Sequence, residues 1–208
     1  MPAVNYRLAG DVAILEIANP PVNALSLAVR EGLMEGLERA VADPAVVAVV
    51  ISGAEGTFPA GADINEIASG LALKAPMILD VQARMEAVRK PLIAALEGNA
   101  LGGGFELALT CHWRVATPAT RVGLPEVKLG LIPGAGGTQR FTRLAGPEAA
   151  LDAITSGAQI PAARAHALGL IDAVATDAVT AAAELGRQAV LEGGRCASRA
   201  ISMSTSAG

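Results

Sequence analysis

A chain of 208 residues is long enough to bury one sizeable core and too short for several large domains. Its residues are 52% hydrophobic but only 2% aromatic, so the apolar content is mainly Ala, Val, Leu and Ile, the composition of close-packed helices and buried strands. A net charge of −4, with no lysine or arginine run longer than Arg89-Lys90, argues against a nucleic-acid binder.

In chain order, Val12-Ala13-Ile14-Leu15-Glu16-Ile17 reads as a strand, with a hairpin partner around residues 6–8 and Gly10-Asp11 as the turn. Asn19-Pro20-Pro21 ends it, because proline cannot donate to a ladder. Ser26 is the expected N-cap of a helix reaching Ala42, in which Leu27, Arg30, Leu33, Leu37, Ala40 and Val41 recur at helical spacing until Asp43-Pro44 stops it. The β-branched run 46–52 is the pattern of a strand buried on both faces. A loop over 53–62 leads to a short helix capped by Asp63. Residues 76–88 are predicted helical from the spacing of Met77, Val81, Met85 and Val88. Residues 91–96 form another buried strand, running directly into three glycines and a helix over 103–111. Short strands follow at 113–116 and 121–123, then helices over 137–144, 147–155, 161–168 and 178–191, with a strand at 170–174. The alternation predicts an α/β fold with a wound sheet and a helical C-terminal part from about residue 145. The catalytic domain is expected to span residues 1–195, and the small, polar 196–208 to form a flexible tail.

Cys111 and Cys196 are the only cysteines, and neither has a partner at metal-ligand spacing. His112 adjoins Cys111, but neighbouring side chains on a regular element point apart, so no metal site is expected and the thiols read as inert. Apolar stretches such as 45–51 are too short to span a bilayer, and no basic region precedes an apolar segment at the N-terminus. A soluble, cytoplasmic protein without membrane contact is expected.

Three segments carry groups suited to acid/base work. Glu106 closes Leu101-Gly102-Gly103-Gly104-Phe105-Glu106, Glu126 sits in Val122-Gly123-Leu124-Pro125-Glu126-Val127, and Phe58-Pro59-Ala60-Gly61-Ala62-Asp63 is a glycine-containing loop entering a helix. A glycine-rich helix start offers bare N–H groups to a developing anion, and a carboxylate one turn on can move protons beside it. Taken singly, each has a plainer reading. Glu106 would lie on the solvated face of its helix, Glu126 would be a loop charge, Asp63 only a cap, and the glycines would serve only close packing. Phosphate loops fit poorly, since Gly134-Ala135-Gly136-Gly137-Thr138 lacks the required lysine. The contiguous glycines after residue 96 miss the dinucleotide spacing, and no Gly-x-Ser-x-Gly nucleophile elbow is present.

Phe58-Pro59-Ala60-Gly61-Ala62-Asp63-Ile64, Ala100-Leu101-Gly102-Gly103-Gly104-Phe105-Glu106-Leu107 and Leu124-Pro125-Glu126-Val127-Lys128-Leu129-Gly130, continued by Ile132-Pro133-Gly134-Ala135-Gly136-Gly137-Thr138-Gln139-Arg140, resemble the enoyl-CoA hydratase/isomerase (crotonase) family. The similarity covers roughly residues 19–175. Val122-Gly123-Leu124-Pro125-Glu126 and Ala150-Leu151-Asp152-Ala153-Ile154-Thr155-Ser156-Gly157 more closely resemble the N-terminal hydratase/isomerase module of multifunctional fatty-acid β-oxidation enzymes.

The resemblance implies an α/β crotonase-like spiral of ββα units followed by C-terminal helices, here shortened, and a homo-oligomer, a trimer in the family. It implies acyl-CoA thioester substrates, with CoA belonging to the substrate and no separate cofactor. The family's two oxyanion amides map to Ala62 and Gly103, and its two glutamates to Glu106 and Glu126. Ala62-Asp63-Ile64-Asn65 matches the stretch lining the thioester and pantetheine, and Val22-Asn23-Ala24-Leu25, with Val22 and Ala24 as contacts, resembles another CoA-contacting turn. Hydration of a 2-enoyl thioester builds charge on the thioester oxygen, so two donors there and two carboxylates for water and proton suit the reaction. Glu126 is expected to donate the α-carbon proton, and Glu106 to orient and activate water. The competing readings are Δ3-Δ2 isomerisation, which needs only one carboxylate, and a non-catalytic acyl-CoA-binding or RNA-binding homologue. The RNA option would call for a lysine-rich face.

Overall fold

The computed structural model describes residues 2–192; the expected tail over 196–208, and Cys196 within it, lie outside the described residues. Strands β1 (Val4–Ala9) and β2 (Val12–Ile17) form the expected antiparallel hairpin. Helix α1 (Leu27–Ala42) follows, its first turn capped by the Ser26 hydroxyl, which accepts from the Val29 amide. Next come β3 (Ala48–Gly53), α2 (Ile64–Ser69), α3 (Ile78–Glu86) and β4 (Leu92–Leu96). Strand β5 (Asn99–Leu101), helix α4 (Gly103–Thr110) and strands β6 (Trp113–Ala116) and β7 (Arg121–Gly123) complete the central part. The C-terminal part holds α5 (Gly137–Ala145), α6 (Pro147–Ser156), β8 (Ile160–Pro161), α7 (Ala162–Ala167), β9 (Ala173–Val174) and α8 (Ala178–Leu191).

The main sheet has the order β1-β2-β3-β4-β6-β9 and is parallel except for the first pair. A second sheet, β5-β7-β8, stands apart from it. Successive units therefore send one strand to each sheet: β4 then β5 then α4, and β6 then β7 followed by a helical turn and α5.

Burial on both faces explains why the central strands read as unbroken apolar runs. Alternate residues Leu15, Val49, Ile51, Leu92 and Leu96 enter the larger core with α1, α3 and α4, while Val12, Ile14, Ala48, Val50, Ile93 and Val115 face α8. Helix α8 approaches closely at Gly186, where a Cβ would stand 2.7 Å from that of Ala48.

Two elements depart from the sequence expectation. The strand ending at Leu96 does not run directly into the glycines, because β5 intervenes. Residues 99–101 lead into the glycines and show no strand pattern of their own, and β5 is defined by its pairing with β7. The β8 pairing with β7, over Ile160 and Pro161, was equally invisible.

Candidate active site

The loop after β3, the start of α4 and the turn after β7 are stitched together by main-chain hydrogen bonds. The Phe58 amide donates to Glu97 at 2.9 Å, Ala60 to Val22 at 3.1 Å, Leu25 to Gly61 at 2.9 Å and Gly102 to Gly123 at 2.9 Å. Two of the three glycines opening α4 have a steric reason to be glycine. Gly102 adopts φ 51° and ψ −131°, a conformation closed to side-chain-bearing residues. At Gly104 a Cβ would lie 1.9 Å from the Pro59 carbonyl oxygen, so the helix start abuts the 58–62 loop. At Gly103 a Cβ would point at the Ala62 amide nitrogen, 3.5 Å away.

The Ala62 and Gly103 amides are thereby close neighbours, and neither donates to a protein acceptor among the described residues. Gly103 N–H is also a first-turn amide, without a partner in its own helix and at the positive end of the helix dipole.

Both glutamates face the same cleft of about 380 Å³, which Ala62 and Gly103 also line. Leu25, Ile64, Ile67, Ile78, Leu129 and Ile132 make its walls apolar. Glu106, one turn into α4, is only 2% exposed. Its Oε1 accepts from the Ala135 and Gly137 amides, each at 2.8 Å. Burial holds this carboxyl above the usual range, against the opposing pull of those two amides and of Arg140. Glu126, half-buried, sits on a 3₁₀ turn spanning Pro125–Leu129. Its Oε2 is buried without a hydrogen-bond partner. Burial pushes Glu126 up to about 7, its own backbone amide opposing and the Glu106 charge adding to the rise. The site therefore pairs two unoccupied donors with two carboxylates of raised proton affinity.

An enoyl-CoA hydratase/isomerase profile matches residues 7–207. The chain belongs to the enoyl-CoA hydratase/isomerase family. It is 53% identical over 163 residues to a peroxisomal bifunctional enzyme of Danio rerio, covering 78% of this chain and 22% of that protein. It is 46% identical over 177 residues to a peroxisomal fatty acid β-oxidation multifunctional protein of Arabidopsis thaliana, covering 81% and 24%. The chain thus spans about a quarter or less of the curated relatives it matches. The crystal structure of an enoyl-CoA hydratase from Bacillus anthracis superposes with a TM-score of 0.84 at 34% identity, covering 90% of this chain and 76% of that one. The units that send strands to two sheets, with their helices, form the crotonase fold.

Of the residues singled out from the sequence, this hydratase/isomerase family member brings Ala62, Ile64, Gly103, Glu106 and Glu126 to one cleft. Asp63, Asn65, Val22 and Ala24 are not among the lining residues. Asp63 caps α2, its carboxylate accepting from the Asn65 and Glu66 amides, while Asn65 and Val22 are exposed. The 22–25 turn serves the site through Leu25, which lines the cleft and holds the Gly61 carbonyl.

Sequence reasoning missed the residues behind the carboxylates. Gly134 to Gly137 fits a phosphate loop poorly and enters the family resemblance without a role of its own, yet two of its amides grip Glu106. A glycine-rich run with no lysine was the available signal, since it still offers clustered N–H groups to an anion. Arg30 was read as a helical-periodicity position; it is buried, paired with Glu66 of α2 at 2.9 Å, and donates to the Leu25, Leu71 and Pro76 carbonyls. That ion pair ties the helix following Ala62 to α1.

Cys111 and His112 do not line the cleft. Cys111 is buried, and burial pushes its thiol up to about 12. His112 Nδ1 accepts from the Leu92 amide, and burial lowers its proton affinity. Among the described residues no cluster of three His, Cys, Asp or Glu side chains is placed to hold a metal, and no helix is long and apolar enough to cross a membrane.

Proposed function

We propose that this cleft hydrates 2-enoyl-CoA thioesters to 3-hydroxyacyl-CoA. The observation that carries the reading is the lining of one apolar cleft by two carboxylates, Glu106 and Glu126, beside the free Ala62 and Gly103 amides. The thioester carbonyl accepts from those two amides. Water held by Glu106 adds at the β-carbon, the electron pair of the double bond moves toward the thioester oxygen, and the amides stabilise the resulting enolate. Protonated Glu126 then delivers its proton to the α-carbon, while Glu106 has taken one from water. Net proton balance between the two carboxyls is restored before the next turnover. A Glu126 carboxyl titrating near neutrality supports the donor role, because donors work best with a pKa near the working pH. CoA enters and leaves as part of the substrate. A homo-oligomer, trimeric as in the family, and a cytoplasmic location complete the proposal; the peroxisomal names belong to relatives.

Loss of the conjugated enoyl-thioester absorbance with crotonyl-CoA tests the reaction. Glu126→Gln is expected to lower kcat by about 100-fold or more while the variant still binds acyl-CoA. Near-normal hydration by a folded Glu126→Gln protein would remove Glu126 from the donor role.

The unpartnered Glu126 Oε2 favours one second reading, Δ3-Δ2 isomerisation, in which a single carboxyl carries a proton between two carbons. Turnover of a 3-enoyl-CoA that persists in Glu106→Gln, with hydration lost, would favour it.

A further inference from the structure

Behind Glu106 lies a charged side chain that the hydration steps leave unused. Arg140, on α5, is only 3% exposed. Its NH1 donates to the Ala135 carbonyl at 3.0 Å and its NH2 to Glu86 Oε1 of α3 at 2.7 Å, while Nε is buried with no partner. The Ala135 carbonyl belongs to the peptide lying between the two whose N–H groups grip Glu106. The torsions on either side of that middle peptide, ψ of Ala135 and φ of Gly136, set the angle between the two donors, and rotation about either alone splays them. Gly136, at φ 87°, allows the rotation, and the grip has little slack, since a Cβ on Gly137 would stand 2.8 Å from Glu106 Oε1.

We propose, resting on the hydration reading, that Arg140 is a positioning residue for Glu106. Braced by Glu86, it pins the Ala135 carbonyl so that the Ala135 and Gly137 amides hold one carboxylate oxygen and the side chain is aimed at the attacking water. Glu86 damps the Arg140 charge, and the remaining field still acts on Glu106. That field opposes the burial that favours neutral Glu106. The charged groups facing Glu106 are Arg140 from α5 and Glu126 from the turn after β7, with Glu86 of α3 behind Arg140; α4 itself carries no other charge.

The test uses Arg140→Met, Arg140→Lys and Glu86→Gln in the full chain, with circular dichroism and melting curves to establish folding. Three quantities are followed from acid to alkaline pH: kcat and KM on crotonyl-CoA, and the Glu106 carboxyl titration by 13C NMR, assigned through its loss in Glu106→Gln. Arg140→Met is expected to lower kcat on the order of 100-fold and to leave KM within about threefold. It should also move the Glu106 titration, and with it the acid limb of the rate profile, to higher pH. Arg140→Lys should restore the titration but not kcat, because an ammonium keeps the charge without the fork. Glu86→Gln should move the titration to lower pH, since it removes the anion that damps Arg140. A purely structural role would depress activity in all three without moving the titration in opposite directions.

A folded Arg140→Met protein with an unmoved titration and kcat within about threefold would overturn the proposal. If Arg140→Met does not fold, Arg140→Lys and Glu86→Gln decide by the same readouts. If the unsubstituted protein hydrates nothing, the hydration reading fails, while the titration still decides whether Arg140 governs Glu106.

Discussion

Glu126 keeps its proton to about pH 7 because folding removes its carboxyl from water and leaves Oε2 unpartnered. The group therefore binds its proton more tightly folded than unfolded, where an ordinary carboxylate titrates near 4.5. Its contribution to stability is complete below that lower value and is lost as pH rises through about 7. Denaturation of the unsubstituted protein and of Glu126→Gln, on either side of this window, is expected to show the substitution gaining relative stability on the alkaline side. A stability difference that does not change with pH would show that Glu126 titrates normally. The plainer reading of Glu106, taken singly, put it on the solvated face of a helix, and the residue is buried. The apolar neighbours Phe105, Leu107, Ala108 and Leu109 were already a sign that α4 is enclosed all round. The groups that make such burial tolerable, the Ala135 and Gly137 amides, lie some thirty residues downstream, beyond any local pattern.

At the scale of elements, the site depends on how closely α4 can approach the loop after β3. Gly104→Ala would set a Cβ against the Pro59 carbonyl, a backbone atom that cannot step aside. We expect this substitution to destabilise the fold by about 1–3 kcal/mol and to lower hydration on the order of 100-fold by separating the two amides. Urea denaturation and the crotonyl-CoA assay check both, and normal values would mean that the loop accommodates the methyl group. Helix starts and stops were legible because their signals are local: Ser26 and Asp63 cap, and Pro44 interrupts. Strands β5 and β8 were illegible because β5 runs into the glycines and β8 holds a proline, so neither shows a local strand signal and only pairing with β7 defines them.

For the whole molecule, several large apolar side chains remain in solvent, among them Leu73 at 78%, Ile132 at 79% and Leu151 at 67% exposure. Ile132 belongs to the cleft, and the trimer stands as part of the proposed function, to be tested in solution. Sedimentation velocity is expected to give the mass of three chains; a single-chain mass at assay concentration would remove the trimer from the proposal.

What the sequence determined by itself was everything carried by short-range repetition: the buried central strands, the capped helices and the three segments whose motifs marked the family. Those features follow from the periods of strand and helix and from residue chemistry within a turn or two. The pairing of Ala62 with Gly103 was reached through the resemblance; tertiary structure alone decided that Glu106 is buried on two amides of a distant glycine run and that Arg140 stands behind it. Each joins residues far apart in the chain, and such contacts exist only once the two sheets and their helices have packed.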